Sequence, residues 1–262
     1  MNRTTVSHQH RAMHLALALF AALVPGLAGK AAWAHIGDRI YPIYEIADED
    51  LGRLNFHDNT LSDWSRVVGP PTLSTTDFTT DPTVGEGALS GPADLSYNIW
   101  LGWNDRTNRL YVAQDRVDNV YINSYPGGSL GDLWQYDSIE FMVDGDHSGG
   151  DYTGSADPNW TVDEQVLNNN RTAQQYAAIA TSPDGHTVGY SGSGANWVNA
   201  LPYGDGGGAA SVSTPNTSII EFFVTPFDDL IWNSPSSSKV SDLAPNKIIG
   251  FQISVPEAPL SR

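Results

Sequence analysis

From residue 96 to residue 255 the chain repeats one pattern: a short run in which apolar and polar residues alternate, then a cluster of Gly, Pro, Asn, Asp or Ser. Alternation with period two belongs to a strand that buries one face, and the clusters are turn chemistry. Seven runs fit: 96–103, 109–115, 137–143, 174–181, 187–190, 218–225 and 248–255. Periodic stretches rich in Ala, Leu and Lys are scarce after residue 55, so helices are not the frame. Short strands punctuated in this way predict an all-β fold, an antiparallel β-sandwich of jelly-roll type. The polar stretch Asn104-Asp105-Arg106-Thr107-Asn108 reads as the loop of a hairpin between the first two runs. Residues 69–92, rich in Pro and Thr, and 201–215, which contain Gly206-Gly207-Gly208, read as surface loops, and 47–54 as a short acidic helix.

Residues 1–34 read as a leader rather than as part of the fold. Arg3 and Arg11 make a basic start, 15–27 is mostly apolar, and Ala32-Trp33-Ala34 has the small-x-small form of a cleavage site. The apolar stretch is too short to span a bilayer, and no later segment approaches the length that spanning needs. The expectation is a secreted or periplasmic protein without membrane insertion, with one domain over 35–255 and a tail or truncation point at 256–262. A formal net charge of −17 makes nucleic acid an unfavourable partner. With no cysteine, the chain has neither disulfides nor thiolate metal sites. Nothing in the pattern fixes the oligomeric state.

The segment 133–146 holds the densest chemistry. In its strand Asp137, Ile139, Phe141 and Val143 point one way, and Ser138, Glu140, Met142 and Asp144 the other. Glu140 therefore stands on the face opposite the apolar residues, as a solvated residue or as a ligand contact. Trp134, just before the strand and flanked by Gly131 and Tyr136, is a candidate platform on which an apolar sugar face would stack. In the run 96–103, alternation puts Trp103 with the core and Trp100 on the other face. There Trp100 is either a second platform or packed beneath a loop. The turn Asp144-Gly145-Asp146-His147-Ser148-Gly149 has oxygen ligands at first, third and fifth positions and glycine at the sixth, like the first half of a calcium loop. Its twelfth position is Ser155 rather than a glutamate, so with Asp144, Asp146 and Ser148 the nearby Asp151 and Asp157 could complete a different cage, and a metal-free acidic turn is the competing reading.

Catalytic readings are weaker. Asp137 with Glu140, or Glu140 with Glu221, are carboxylate pairs of the kind that cleave glycosides, but 30 acidic residues supply such pairs by chance. There is no nucleophile elbow, zinc-protease helix or phosphate-binding loop, and no histidine cluster outside the leader. His35, at the expected new N-terminus, is a possible copper ligand only as a lone terminal histidine. Outside the leader, three N-x-S/T sites stand at Asn159, Asn170 and Asn216.

The stretches Asp58-Asn59-Thr60-Leu61-Ser62-Asp63-Trp64, Asp94-Leu95-Ser96, Leu101-Gly102-Trp103-Asn104, Leu110-Tyr111-Val112, Asp118, the run from Trp134 to Glu140, Ser218-Ile219-Ile220-Glu221 and Ile249-Gly250-Phe251 share an order and spacing. Together they resemble the family 9 carbohydrate-binding modules and their DOMON-like relatives. The resemblance implies a β-sandwich that binds polysaccharide or oligosaccharide ends, often as a non-catalytic accessory to secreted glycoside hydrolases, with calcium as a structural ion. It implies Trp134 as a stacking aromatic and Glu140 as acceptor for sugar hydroxyls. The chain departs from the pattern in two places: Tyr176 stands where sugar-binding members carry an arginine, and Pro256-Glu257-Ala258-Pro259 stands where a second clamp tryptophan follows. DOMON relatives imply an alternative, a haem-binding electron-transfer domain, for which Met142 is the one methionine outside the leader. A surface adhesion or scaffold module is a third reading.

Overall fold

The computed structural model describes residues 40–78, 92–149 and 157–256, other than 186 and 193. The expected leader, His35, Asp151 and the tail beyond Pro256 lie outside the described residues. Twelve strands are described: β1 (Tyr44–Glu45), β2 (Leu73–Ser74), β3 (Leu95–Asn104), β4 (Arg109–Asp118), β5 (Ser138–Asp144), β6 (Gln174–Ile179), β7 (Val188–Tyr190), β8 (Gly204–Ser211), β9 (Asn216–Val224), β10 (Phe227–Asp229), β11 (Lys239–Val240) and β12 (Gly250–Ser254). Three α-helices accompany them: α1 (Asp48–Leu51), α2 (Trp64–Val67) and α3 (Val162–Thr172). The larger sheet runs β1-β3-β4-β9-β8, with β2 also on β3, and the smaller runs β12-β5-β6-β7. Apart from the short parallel β1–β3 contact, the pairings are antiparallel.

The alternation read from the sequence is what joins the sheets. Ile99, Leu101, Val112, Ile220 and Phe222 of the larger sheet share one apolar core with Ile139, Phe141, Val143, Tyr176 and Tyr190 of the smaller. Fully burying each aliphatic or Phe side chain is worth roughly 1.5–3 kcal/mol, so this layer dominates stability. A buried polar lock stands within the sandwich. The Arg116 guanidinium donates to Asp118 at 2.8 Å and lies 3.3 Å from Asp137, and it also donates to the carbonyl of Pro256. It ties β4 to the segment entering β5 and to the end of β12.

Two expectations are corrected. Residues 204–211, within the glycine-rich stretch read as a loop, form the edge strand β8, fully paired with β9. The glycines serve close approach rather than flexibility: a Cβ on Gly207 would stand 1.7 Å from the carbonyl oxygen of Phe56, and one on Gly208 2.6 Å from that of Ala180. The longest helix, α3, was not foreseen. Its start is fixed by a capping box in which the Thr161 hydroxyl accepts from Glu164 N–H and the Glu164 carboxylate accepts from Thr161 N–H. Among the described residues no helix is long and apolar enough to cross a membrane.

Candidate functional site

Both sheets have an outer face, and each carries a tryptophan and a glutamate. On the larger sheet that face is sealed. Segment 46–68, with α1 and α2, lays Ile46, Trp64 and Val68 over Trp100, Tyr111, Ala113 and Phe223. Trp100 is accordingly 8% exposed and donates its indole N–H to the Gly69 carbonyl at 3.1 Å, so it is no ligand platform. Period two assigned its face correctly; the covering layer is what the sequence did not reveal. Asp63 caps α2 by accepting from Trp64 N–H and also holds Asn55 N–H, which explains the acidic residue one place before Trp64. Trp64 is fully buried and donates its indole N–H to Glu221 at 2.6 Å. Burial pushes the Glu221 carboxyl up to about 8 despite that bond, with Asp63 and Asp58 adding repulsion. The opening D-x-W element and the Glu221 strand thus meet as a structural clasp.

On the smaller sheet the outer face is partly open. A 3-10 segment, Leu130–Gln135, packs on it through Leu133, which is buried against Ala177 and Ile179. Ala177 is the cross-strand partner of Glu140, so the two share a face. Trp134 follows Leu133 on this segment, over the same sheet face as Glu140, and the residue is 45% exposed. Beside Glu140, the Ser254 hydroxyl donates to the carboxylate at 2.9 Å and the Gln175 amide reaches it at 3.5 Å. Burial raises the Glu140 pKa, and these two donors oppose the rise.

Sequence reasoning missed Gln175 and Ser254, which flank Glu140 from β6 and β12. At the place compared with the family's arginine, Tyr176 faces the core and is buried, whereas its neighbour Gln175 faces outward. A shift of one residue on a strand exchanges the faces. Strand pairing, invisible in one sequence, puts Ser254 opposite Glu140.

The carboxylate pairs do not form. Glu140 and Glu221 stand on opposite outer faces of the sandwich, and Asp137 is buried, accepting from Ile122 N–H at 2.6 Å beside Arg116. In the turn after β5, Asp144 accepts from Gly149 N–H at 2.8 Å and Asp146 from Ser148 N–H at 3.1 Å, with left-handed backbone at His147 and Gly149. Among the described residues no three His, Cys, Asp or Glu side chains converge to hold a metal; Asp151, expected beside Asp144, Asp146 and Ser148, lies outside them. On the face of Met142 the paired neighbours are Gln252 and Gln175, neither of them a haem ligand. Asn170 and Asn216 are buried with their amides donating to Val166 and Asn119 carbonyls, whereas Asn159 is exposed.

No family model matches the chain, and no curated protein does. Among solved structures it is similar to a carbohydrate binding module family 9 (CBM9) from Caldicellulosiruptor kristjanssonii, in complex with glucose, at 16% identity and a TM-score of 0.37. The similarity covers 66% of this chain and 64% of that one, so the chain spans less than two thirds of that module's length.

Proposed function

We propose that this chain is a non-catalytic carbohydrate-binding domain whose ligand lies on the outer face of the smaller sheet. The observation that carries the reading is the pairing of a 45% exposed Trp134 with a half-buried Glu140 on one sheet face. A flat ring supplies apolar area for the C–H face of a sugar, and a carboxylate accepts two hydroxyl donors at once. Gln175 and Ser254 orient that carboxylate and offer hydroxyl-matching groups of their own.

The leader-like pattern of residues 1–34 is what supports export as part of this proposal, and export with sugar binding fits an accessory to extracellular polysaccharide breakdown. The test is a titration of the purified protein with mono- and oligosaccharides, followed by tryptophan fluorescence and calorimetry. A saturable response that Trp134→Ala removes is expected. A response that survives Trp134→Ala would move the site elsewhere.

A further inference from the structure

The outer face that carries Glu140 does not end there. Along β5 the outward positions after Glu140 are Met142 and Asp144. Their partners are Gln252 and Gly250 on β12 and, opposite Met142, Gln175 on β6. Apart from Met142, each of these is polar or lacks a side chain, and Gln252 is exposed. Such a row is what a hydroxylated ligand meets on a strand whose other face is core. Past the end of β5, Asp144 and Asp146 lie close enough to share a hydrogen bond. Asp146 in turn lines a cleft of about 560 Å³ with Ser148, Arg171, Asp228, Asp229 and Lys239.

That cleft is furnished for hydroxyl groups rather than for a single charge. It holds two ion pairs: Arg171 lies 2.8 Å from Asp229, and Lys239 2.8 Å from Asp228. The two ion pairs cancel and Asp146 adds one further carboxylate, so an anion is disfavoured, while each carboxylate keeps acceptor capacity and each cation keeps donors. The cleft lies past the end of β5, whereas Trp134 belongs to the segment packed over its start, at Ala177 and Ile179, the partners of Glu140 and Ser138. Four to six residues of strand at about 3.3 Å each put roughly 13–20 Å between them, the length of several sugar units.

Resting on the proposed sugar site, we infer that the ligand is an extended, neutral oligosaccharide chain. It runs along β5 from Trp134 over Glu140 and Gln252 to the Arg171–Asp229 cleft, rather than engaging as a single terminal sugar. The negative charge of the chain, −17 overall, disfavours uronic-acid polymers on this surface.

The experiment uses the full chain and ladders of gluco-, xylo- and manno-oligosaccharides, from one to six units, titrated by calorimetry. Affinity is expected to rise at least tenfold between the disaccharide and the tetra- or pentasaccharide and then to level off. Arg171→Gln combined with Asp229→Asn removes one exposed ion pair at the cleft. It is expected to return hexasaccharide affinity to the disaccharide level while leaving mono- and disaccharide binding unchanged. Binding that Trp134→Ala abolishes but that does not vary with chain length would overturn the inference and leave the sugar site standing. Hexasaccharide affinity unaffected by the double substitution would do the same. Absence of binding at every length in all three ladders would remove the sugar site, and this inference with it.

Discussion

On the larger sheet, Trp64 and Glu221 meet under a cover: the indole is fully buried, the carboxyl has no exposed area, and the two share a 2.6 Å hydrogen bond. On the smaller sheet, Trp134 and Glu140 stand on one face with the tryptophan 45% exposed and the carboxylate only half-buried. The same residue types thus do opposite work, and the difference lies in what is laid over each sheet. A chain segment of more than twenty residues packs on the first, whereas among the described residues Tyr125, the 3-10 turn and Tyr136 pack on part of the second. A Trp and a Glu therefore mark a ligand site only where the protein has not already used them on itself.

The contrast breaks most severely at Gly207. Its position under Phe56, where a Cβ would stand 1.7 Å from a backbone oxygen, makes it the seat of the cover on the larger sheet. Gly207→Val should cost more than about 3 kcal/mol, because backbone rather than a flexible side chain must move. Denaturant unfolding would measure the loss. Under conditions where the variant still folds, the sugar response at Trp134 should persist. A variant as stable as the parent would show that the cover does not seal this face.

Glu221 supplies the next largest effect. Its carboxyl titrates at about 8 in the folded chain and near its ordinary range when unfolded. The folded state therefore holds the extra proton between those values. Stability should be full at acid pH and fall as pH rises through about 8, by some kcal/mol in total. Glu221→Gln keeps an acceptor for the Trp64 indole and cannot ionise. It should flatten this decline in a series of melting temperatures, with its gain over the parent greatest above pH 8. Equal pH profiles for the two proteins would place Glu221 outside the folding linkage.

What the sequence disclosed follows the same division. The seven alternating runs correspond to β3, β4, β5, β6, β7, β9 and β12, because period two is written in the chain itself. The core faces of Ile139, Phe141 and Val143 were legible for the same reason. Strand β8 was not, since glycines carry no alternation and their purpose, admitting Phe56, exists only when residues distant in sequence meet. For Trp100 periodicity named the face but left a platform and packing beneath a loop both open, because it does not name the neighbour; the structure shows the second. Gln175 was hidden by one residue of register, which no local pattern fixes. At the stretches that carry the family resemblance, Asp63, Trp64, Asp118, Asp137 and Glu221 proved to be the two polar clasps of the scaffold, so the resemblance was strongest where the structure is least open to ligand.

On the open face, Trp134→Ala should leave stability within about 0.5 kcal/mol, as for exposed surface changes, yet weaken sugar binding by about 2 kcal/mol, roughly thirtyfold. Calorimetric titration beside a denaturation curve separates the two. A large stability loss without a change in binding would make Trp134 a cover residue like Trp64 and erase the contrast between the sheets.

The finest distinction concerns Glu140. Its pKa is raised by burial, so its folded neutral form is favoured and it contributes stability that declines as pH rises through that raised value. Binding should run the other way, because only the carboxylate accepts two hydroxyl donors without offering a competing proton. Sugar affinity is therefore expected to increase as pH rises from about 4 through the raised pKa, where the carboxyl ionises, and then to plateau. Glu140→Gln, which retains shape but loses the charge-assisted acceptor, should bind about fivefold more weakly, close to 1 kcal/mol, with no rise over that interval. The paired profiles test one coupling: ligand hydroxyls would replace the solvation that burial has taken from Glu140, whereas Glu221 has only Trp64 to offer and stays protonated. A pH-independent affinity in the parent would mean that Glu140 is bystander to the ring of Trp134, and that the open face recognises sugars by stacking alone.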